Sequence, residues 1–138
     1  MTSRHKNKTF ATLLATLFGG IGLHRFYLHG LGDRWGWLHL SSLAVSGFVT
    51  GQWFEQPLLL TAAPLVLSAI AGFVTALVLG LTPDDKWDQA HNPDSGKQSR
   101  SSGWLALVLV LTTGLGAISV IAVLARTLDL LFTGGAYG

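Results

Sequence analysis

The sequence predicts an all-α integral membrane protein, a helical bundle of about four transmembrane helices with a short first hairpin. Two observations carry this prediction. The 138-residue chain is 49% hydrophobic and only 12% charged, whereas soluble domains carry about a quarter charged residues. Its apolar residues are also gathered into blocks of bilayer-crossing length, separated by polar and basic stretches.

The first apolar block, "TFATLLATLFGGIGL" at residues 9–23, is the shortest. Its fifteen residues reach about 22 Å as a helix, less than a hydrocarbon core of ~30 Å. We expect it to gain length from Lys8 at one end and from "HRFYL" at the other. The alternative is a cleaved signal peptide, since a basic start precedes the block. No Ala-x-Ala site is present, which favours a retained helix.

Three longer blocks follow. Residues 35–53 have tryptophans at both ends, which is typical of an interfacial aromatic belt. Residues 57–81 contain Pro64, which predicts a kink in the third span. Residues 103–125 form the fourth span. Between the last two blocks, residues 82–102 are rich in Pro, Ser, Asp and Asn and predict an aqueous loop.

The stretch "GGIGLHRFYLHGLGDR" at 19–34 lies between the first two blocks. Its glycines permit a tight reversal, its aromatic residues suit the bilayer interface, and its arginines can reach phosphates. These properties predict a hairpin turn at headgroup depth. The residues predicted to contact lipid or a partner there are His24, Arg25, Phe26, Tyr27 and Arg34. Structural anchoring of the turn, without a ligand, is the alternative.

Several motif elements fall in order along residues 6–53. "KNK" opens the segment, a Gly-x-x-Gly follows at Gly19 and Gly22, and His-Arg-Phe-Tyr occupies residues 24–27. In these features the segment resembles the TM-two (two-transmembrane) domain family, which pairs two helices around a short turn that carries the last motif. One departure is His29, which stands where the family commonly has glycine after Tyr-Leu.

The resemblance implies an integral membrane protein and, as in animal members of the family, a cytosolic turn. The family has no established catalytic activity. The resemblance divides the chain in two: residues 1–56 as a TM-two-like domain of two transmembrane helices around the HRFY turn, and residues 57–138 as two further transmembrane helices joined by the 82–102 loop.

Small residues at four-residue spacing predict close helix packing, because helices in lipid associate through backbone contact. One pair lies in the second span and a four-residue stripe lies in the third. The stripe could seal the bundle internally or form a homodimer. The residues predicted to pack helices are Gly19, Gly22, Gly47, Gly51, Ser68, Gly72, Ala76 and Gly80.

The chain offers little for catalysis. It has no cysteine and five histidines, too few for a histidine-rich metal centre, and no acidic or basic residue inside the predicted spans. We therefore expect no enzyme activity, cofactor or metal. The net charge of +2 argues against nucleic acid as a partner. The sequence favours a membrane-organising or protein/lipid-interaction module, with a small transporter or channel subunit as the alternative. Its expected partners are membrane lipids, a second copy or another membrane protein.

Charge gives a weak signal for orientation when four spans are assumed. The N-terminal side then carries four basic residues and the other side five. The basic cluster before the first span favours N-inside. The lack of a clear cleavable leader favours a multi-pass protein of the bacterial inner (cell) membrane.

Overall fold

A computed structural model describes residues 4–136, which form α-helices joined by short connections and contain no strand. In chain order the helices are α1 (Lys8–Phe18), α2 (Leu23–His29), α3 (Arg34–Gln52), α4 (Leu58–Thr61), α5 (Ala63–Leu81), α6 (Asp84–His91) and α7 (Gly103–Thr133), with a 3₁₀ turn at Gly19–Ile21. The predicted all-α class is confirmed. Residues 1–3 and 137–138 of the two predicted domains lie outside the described residues.

Two helix starts follow from capping residues in the sequence. The Asn7 side chain accepts a hydrogen bond from the Phe10 amide at 2.9 Å and begins α1. The Asp33 carboxylate accepts one from the Gly36 amide at 2.7 Å and begins α3. Short polar side chains at these positions satisfy amides that a first helical turn leaves unpaired.

The third predicted span is interrupted before its proline. Helix α4 ends at Thr61, and α5 begins at Ala63 with Pro64 in its first turn. Proline fits there because the first turn needs no amide donor from it. The predicted kink is thus a break between α4 and α5, centred on Ala62.

Helix α5 lies at the centre of the bundle, in contact with α1, the 3₁₀ turn, α3 and α7. Small side chains fill this centre: Ala11, Ala15 and Ala76 are buried. Most large apolar side chains point outward, which is the distribution expected when lipid surrounds a bundle. Helices α5 and α7 have the length and apolar composition to cross a membrane, and the apolar stretch Lys8–Ile21 is shorter. Of the four predicted spans, these two meet both criteria.

The first hairpin reverses earlier than predicted. Helix α2 runs back along α1, so that Leu28 is buried against Ala11. The rings of Tyr27 and Phe10 meet edge to face at 5.1 Å. The Lys6 ammonium donates to the Leu28 carbonyl. The chain therefore leaves this hairpin close to where it enters.

This geometry corrects one part of the description of residues 1–56 as two transmembrane helices around an HRFY turn, since the motif itself does not form the turn. The four motif residues 24–27 lie in helix α2, and the reversal occurs before them at Gly22, whose φ is +78°. Glycine adopts this left-handed conformation without the steric cost that other residues carry. The sequence prediction was wrong here because the glycines on both sides of the motif are equally able to turn the chain.

Helix α3 runs antiparallel to the α4–α5 segment along most of its length. The Ser46 hydroxyl accepts from the Leu65 amide at 3.0 Å, and Thr50 donates to Thr61 at 3.0 Å. Helix α7 packs against α1 and α5, with the hydroxyl oxygens of Thr16 and Thr112 2.6 Å apart.

Candidate functional site

The closed end of the hairpin is inserted between α3 and α5. A Cβ at Gly22 would lie 2.8 Å from the Gly36 carbonyl oxygen, and one at Gly19 would lie 2.6 Å from the Gly72 Cα. Contacts this short leave room only for hydrogen at both positions. The two glycines predicted to pack helices therefore do so within the chain.

The predicted stripe on α5 faces the same hairpin. Gly72, Ala76 and Gly80 are buried, and a Cβ at Gly80 would lie 3.1 Å from Thr12 and 2.5 Å from Leu109. Ser68 donates to the Gly20 carbonyl at 2.6 Å. Gly72, Ala76 and Gly80 thus pack inside the bundle, and Ser68 joins α5 to the 3₁₀ turn.

Gly47 and Gly51 have a different environment. Both lie on the exposed face of α3, and a Cβ added at either would meet no atom within 4 Å. Among the described residues, no atom of another helix lies where a side chain at either glycine would begin, so the predicted packing role of this pair stays a prediction.

A polar cluster surrounds the closed end of the hairpin. Because a hydroxyl has one hydrogen and Ser68 gives its hydrogen to Gly20, His39 Nδ1 must be the donor in its 2.6 Å bond to Ser68. Ser42 donates to the His39 carbonyl at 2.6 Å. These bonds connect α3, α5 and the 3₁₀ turn through side chains that would be costly to leave unpaired in lipid.

His24 is the exception in this cluster. It is fully buried on α2, and its ring centroid lies 5.7 Å from that of His39 in an edge-to-face contact. Within residues 4–136, its two ring nitrogens are the buried side-chain atoms that lack a hydrogen-bond partner. With no exposed surface, His24 is not available to a headgroup in this arrangement.

Of the other residues predicted to contact lipid or a partner, all except Arg34 contact side chains or backbone of this same chain. Arg25 forms a two-pronged ion pair with Asp33, at 2.9 and 2.7 Å. Phe26 packs edge to face on Trp37 at 5.5 Å, and the Tyr27 hydroxyl accepts from the Asn7 amide at 2.8 Å. Arg34 is exposed. The lipid- or partner-contacting role predicted for this stretch therefore depends chiefly on Arg34, and it stays a prediction.

A second polar region joins the N-terminal segment to α6 and the loop after it. The Lys8 side chain is 5% exposed, forms an ion pair with Asp84 and donates to the Thr82 carbonyl. The fully buried Trp87 donates its indole N–H to the Lys6 carbonyl at 3.1 Å, and Asn92 holds the Lys6 amide at 2.6 Å. We call residues 4–8, 29–34 and 82–102 together the charged face.

Hydrogen bonds stabilise the carboxylates of this face in their ionised form. The Arg25 guanidinium lowers the pKa of Asp33 to about 2, and the Lys8 ammonium lowers the pKa of Asp84 to about 2. Bonds from Asn92 and Ser99 lower the pKa of Asp88. These groups carry full negative charge at neutral pH.

Sequence reasoning missed much of the charged face. The 82–102 segment was predicted as an aqueous loop, whereas it contains α6 and buries Trp87. The available signals were Pro83, which precedes α6, and the acidic pair Asp84 and Asp85 in its first turn. Acidic residues favour the positive end of a helix dipole, so these residues indicate a helix start.

The fold and these sites define the class of protein. Long apolar helices, outward-facing apolar side chains and a polar cap at one end are the properties of a helical membrane protein. Residues 4–55 match the family model of the TM2 domain, the family that the sequence resembles. The match covers just over a third of the chain, and residues 56–138 lie outside it. No curated protein and no solved structure matches the chain.

Proposed function

We propose that the chain crosses the bilayer three times, with α3, α5 and α7, and that α1 and α2 form a re-entrant hairpin. The hairpin's two ends meet at Lys6 and Leu28, which supports entry and exit on one side. Its turn at Gly19–Gly22, where the chain departs from α-helical geometry, is covered by α3 and α5. Bilayers tolerate irregular backbone at depth only when protein covers it. Four complete spans would require α2 to end on the side opposite Lys6.

Charge supports the same arrangement. Under it, eight of the nine Lys and Arg residues belong to the charged face and the Arg25 pair beside it, and Arg126 alone lies at the other end. Basic residues accumulate on the cytoplasmic side of membrane proteins. We therefore place the charged face in the cytoplasm. The bacterial inner (cell) membrane stays the predicted location.

The function we propose is that of a non-catalytic, membrane-organising module that binds a partner protein or lipid headgroups through its charged face. One observation carries the proposal. Lys86, Lys97 and Arg100 are exposed on this face, and no ion pair within the described part of the chain engages them. The face beneath them is held by buried bonds at Lys8, so these cations are presented on a fixed surface.

Crosslinking in native membranes tests this proposal. The variant K86Q/K97Q/R100Q removes the three exposed charges, and we expect it to lose the crosslinked species that the wild-type chain forms. The matched control K86R/K97R/R100K keeps the charges and should keep those species. An unchanged crosslinking pattern in the glutamine variant, with wild-type thermal stability, would contradict the proposal.

A transporter or channel subunit is the second candidate, and His24 is the observation that favours it. Ionisable side chains buried at membrane depth are often functional. His24 lies beside His39 and has two ring nitrogens without a hydrogen-bond partner. Proton flux into proteoliposomes that depends on His24 would favour this candidate. Flux equal in wild type and His24→Gln would exclude His24 as its pathway.

A further inference from the structure

A groove of about 480 Å³ runs between α3 and α5, beside the polar cluster. Carbon atoms dominate its walls. Its apolar lining residues are Trp35, Leu38, Val45, Pro64, Leu67 and Ala71. Because both helices belong to the proposed spans, the groove opens to the hydrocarbon of the bilayer.

The hydroxyl groups in the groove are already used. Ser41 donates to the Leu38 carbonyl at 2.8 Å, Ser42 to the His39 carbonyl, and Ser68 to the Gly20 carbonyl. Their hydrogens point to backbone acceptors rather than to a ligand. A polar solute would find few free donors here, whereas a hydrocarbon chain loses nothing by contact with such walls.

One end of the groove has an available cation. Arg34, Leu38, Ser41 and Val45 are spaced i, i+4, i+7 and i+11, which places Arg34 on the same face of α3 as the groove wall. Its neighbour Asp33 is engaged by Arg25, and no ion pair within residues 4–136 involves Arg34. A long arginine side chain at a helix start can extend to headgroup phosphates.

The length of this wall suits a lipid. From Arg34 to Val45 the helix rises about 16 Å, close to half of a hydrocarbon core of ~30 Å. Trp35, at the same end, is 63% exposed, as befits an interfacial side chain. Arg34, Trp35 and the groove thus lie in the same order as the phosphate, the interfacial region and the acyl chain of a phospholipid.

We propose that this groove holds one acyl chain of an anionic phospholipid whose phosphate pairs with Arg34. The inference rests on the proposed membrane placement of α3 and α5, and it names a lipid class for the TM2 domain together with α5. The positive charge of Arg34 selects an anionic headgroup, and the groove holds the acyl chain of the lipid.

Native mass spectrometry of the purified full chain, titrated with phosphatidylglycerol or phosphatidylcholine, tests the proposal. Arg34→Gln should weaken phosphatidylglycerol binding about fivefold, the effect of one basic residue at an anionic surface, and leave phosphatidylcholine binding unchanged. Ala71→Phe fills the groove and should weaken binding of both lipids. Leu67→Trp serves the same purpose if Ala71→Phe does not fold.

Two matched controls make the result decisive. Arg34→Lys keeps the positive charge at the start of α3, and Ala122→Phe adds the same ring to an exposed position on α7. Both should bind lipid as the wild type does. Equal phosphatidylglycerol binding in Arg34→Gln and Arg34→Lys would overturn the headgroup assignment. A well-folded groove-filling variant with wild-type binding would overturn the site. Side-specific labelling reports the membrane crossings independently, so the two failures are distinguishable.

Discussion

At the scale of single residues, glycine side chains allow the hairpin to lie close against α5. Gly19 and Gly72 face each other so closely that neither has space for a methyl group. Gly47, also in a helix, has open space around it. The same amino acid therefore has opposite roles at the two positions, and one substitution can separate them.

Gly72→Ala should destabilise the protein by about 1–3 kcal/mol, because the added methyl group forces the hairpin and α5 apart. The measurement is thermal unfolding in detergent. Gly47→Ala is the matched control, and it should leave stability unchanged or raise it by up to about 1 kcal/mol, since alanine favours a helix. Equal effects of the two variants would contradict the close packing at Gly72.

A second prediction at this scale concerns the Lys8–Asp84 ion pair. Lys8→Met should lower the free energy of unfolding by about 1–3 kcal/mol, because charge-assisted bonds to Asp84 and Thr82 are lost. Lys86→Met, at an exposed lysine of α6, should change it little. In a double-mutant cycle, Lys8→Met with Asp84→Asn should cost less than the two single changes combined. Additive costs would show that the pair is not coupled.

At the scale of elements, the contact between α2 and α6 is sensitive to pH. His29 and His91 meet with ring centroids 6.0 Å apart, near Lys6. Burial lowers the pKa of each imidazole. Neighbouring positive charge lowers it further, from Arg25 and Lys6 at His29 and from His29 and Lys6 at His91, against an opposing effect of Asp33 at His29. The folded state therefore favours both rings in the neutral form.

The lowered pKa values of His29 and His91 predict how stability depends on pH. The unfolded chain binds more protons once the pH falls below the ordinary histidine value of about 6.5, so stability is complete above that pH and declines below it. The melting temperature should fall between pH 7 and pH 5, and fall less in His29→Gln with His91→Gln. Asp33 and Asp84 stay ionised throughout this range. An identical pH response in the variant would show that these rings are not responsible.

Sequence reasoning located the elements better than their connections. Apolar blocks identified α3, α5 and α7, because hydrophobicity and interfacial tryptophans report contact with lipid. The predicted ends were less accurate: α5 begins at Ala63 rather than at residue 57, and α7 continues to Thr133 rather than ending at residue 125. Hydrophobicity does not report whether a short block leaves the bilayer on the far side. The stripe on α5 was recognisable from its spacing, whereas its partner at Gly19 became known only from the fold.

The candidate site shows the same division. The residues of the 24–27 motif were recognised from sequence, yet three of them bind partners that sequence gave no means of choosing: Asp33 for Arg25, Trp37 for Phe26 and Asn7 for Tyr27. Such pairings depend on where α2 lies against α1 and α3. The groove between α3 and α5 likewise depends on the antiparallel register of two helices, which has no local sequence signal.

At the scale of the whole molecule, the re-entrant hairpin decides how charge is distributed across the membrane. Four full spans divide the basic residues four against five, which selects no orientation. Three spans with the hairpin divide them eight against one and place the N-terminus and the start of α3 together. The re-entrant hairpin is therefore a claim about which side of the membrane each segment lies on.

Side-specific labelling of single cysteines tests this claim most directly, and the chain has no native cysteine to interfere. The probes are Arg4→Cys, Leu31→Cys, Glu55→Cys and Lys97→Cys, all at exposed positions, labelled by a membrane-impermeant maleimide in oriented vesicles. We predict that positions 4, 31 and 97 react from the cytoplasmic side and position 55 from the opposite side. Labelling of positions 4 and 31 from opposite sides would contradict the re-entrant hairpin.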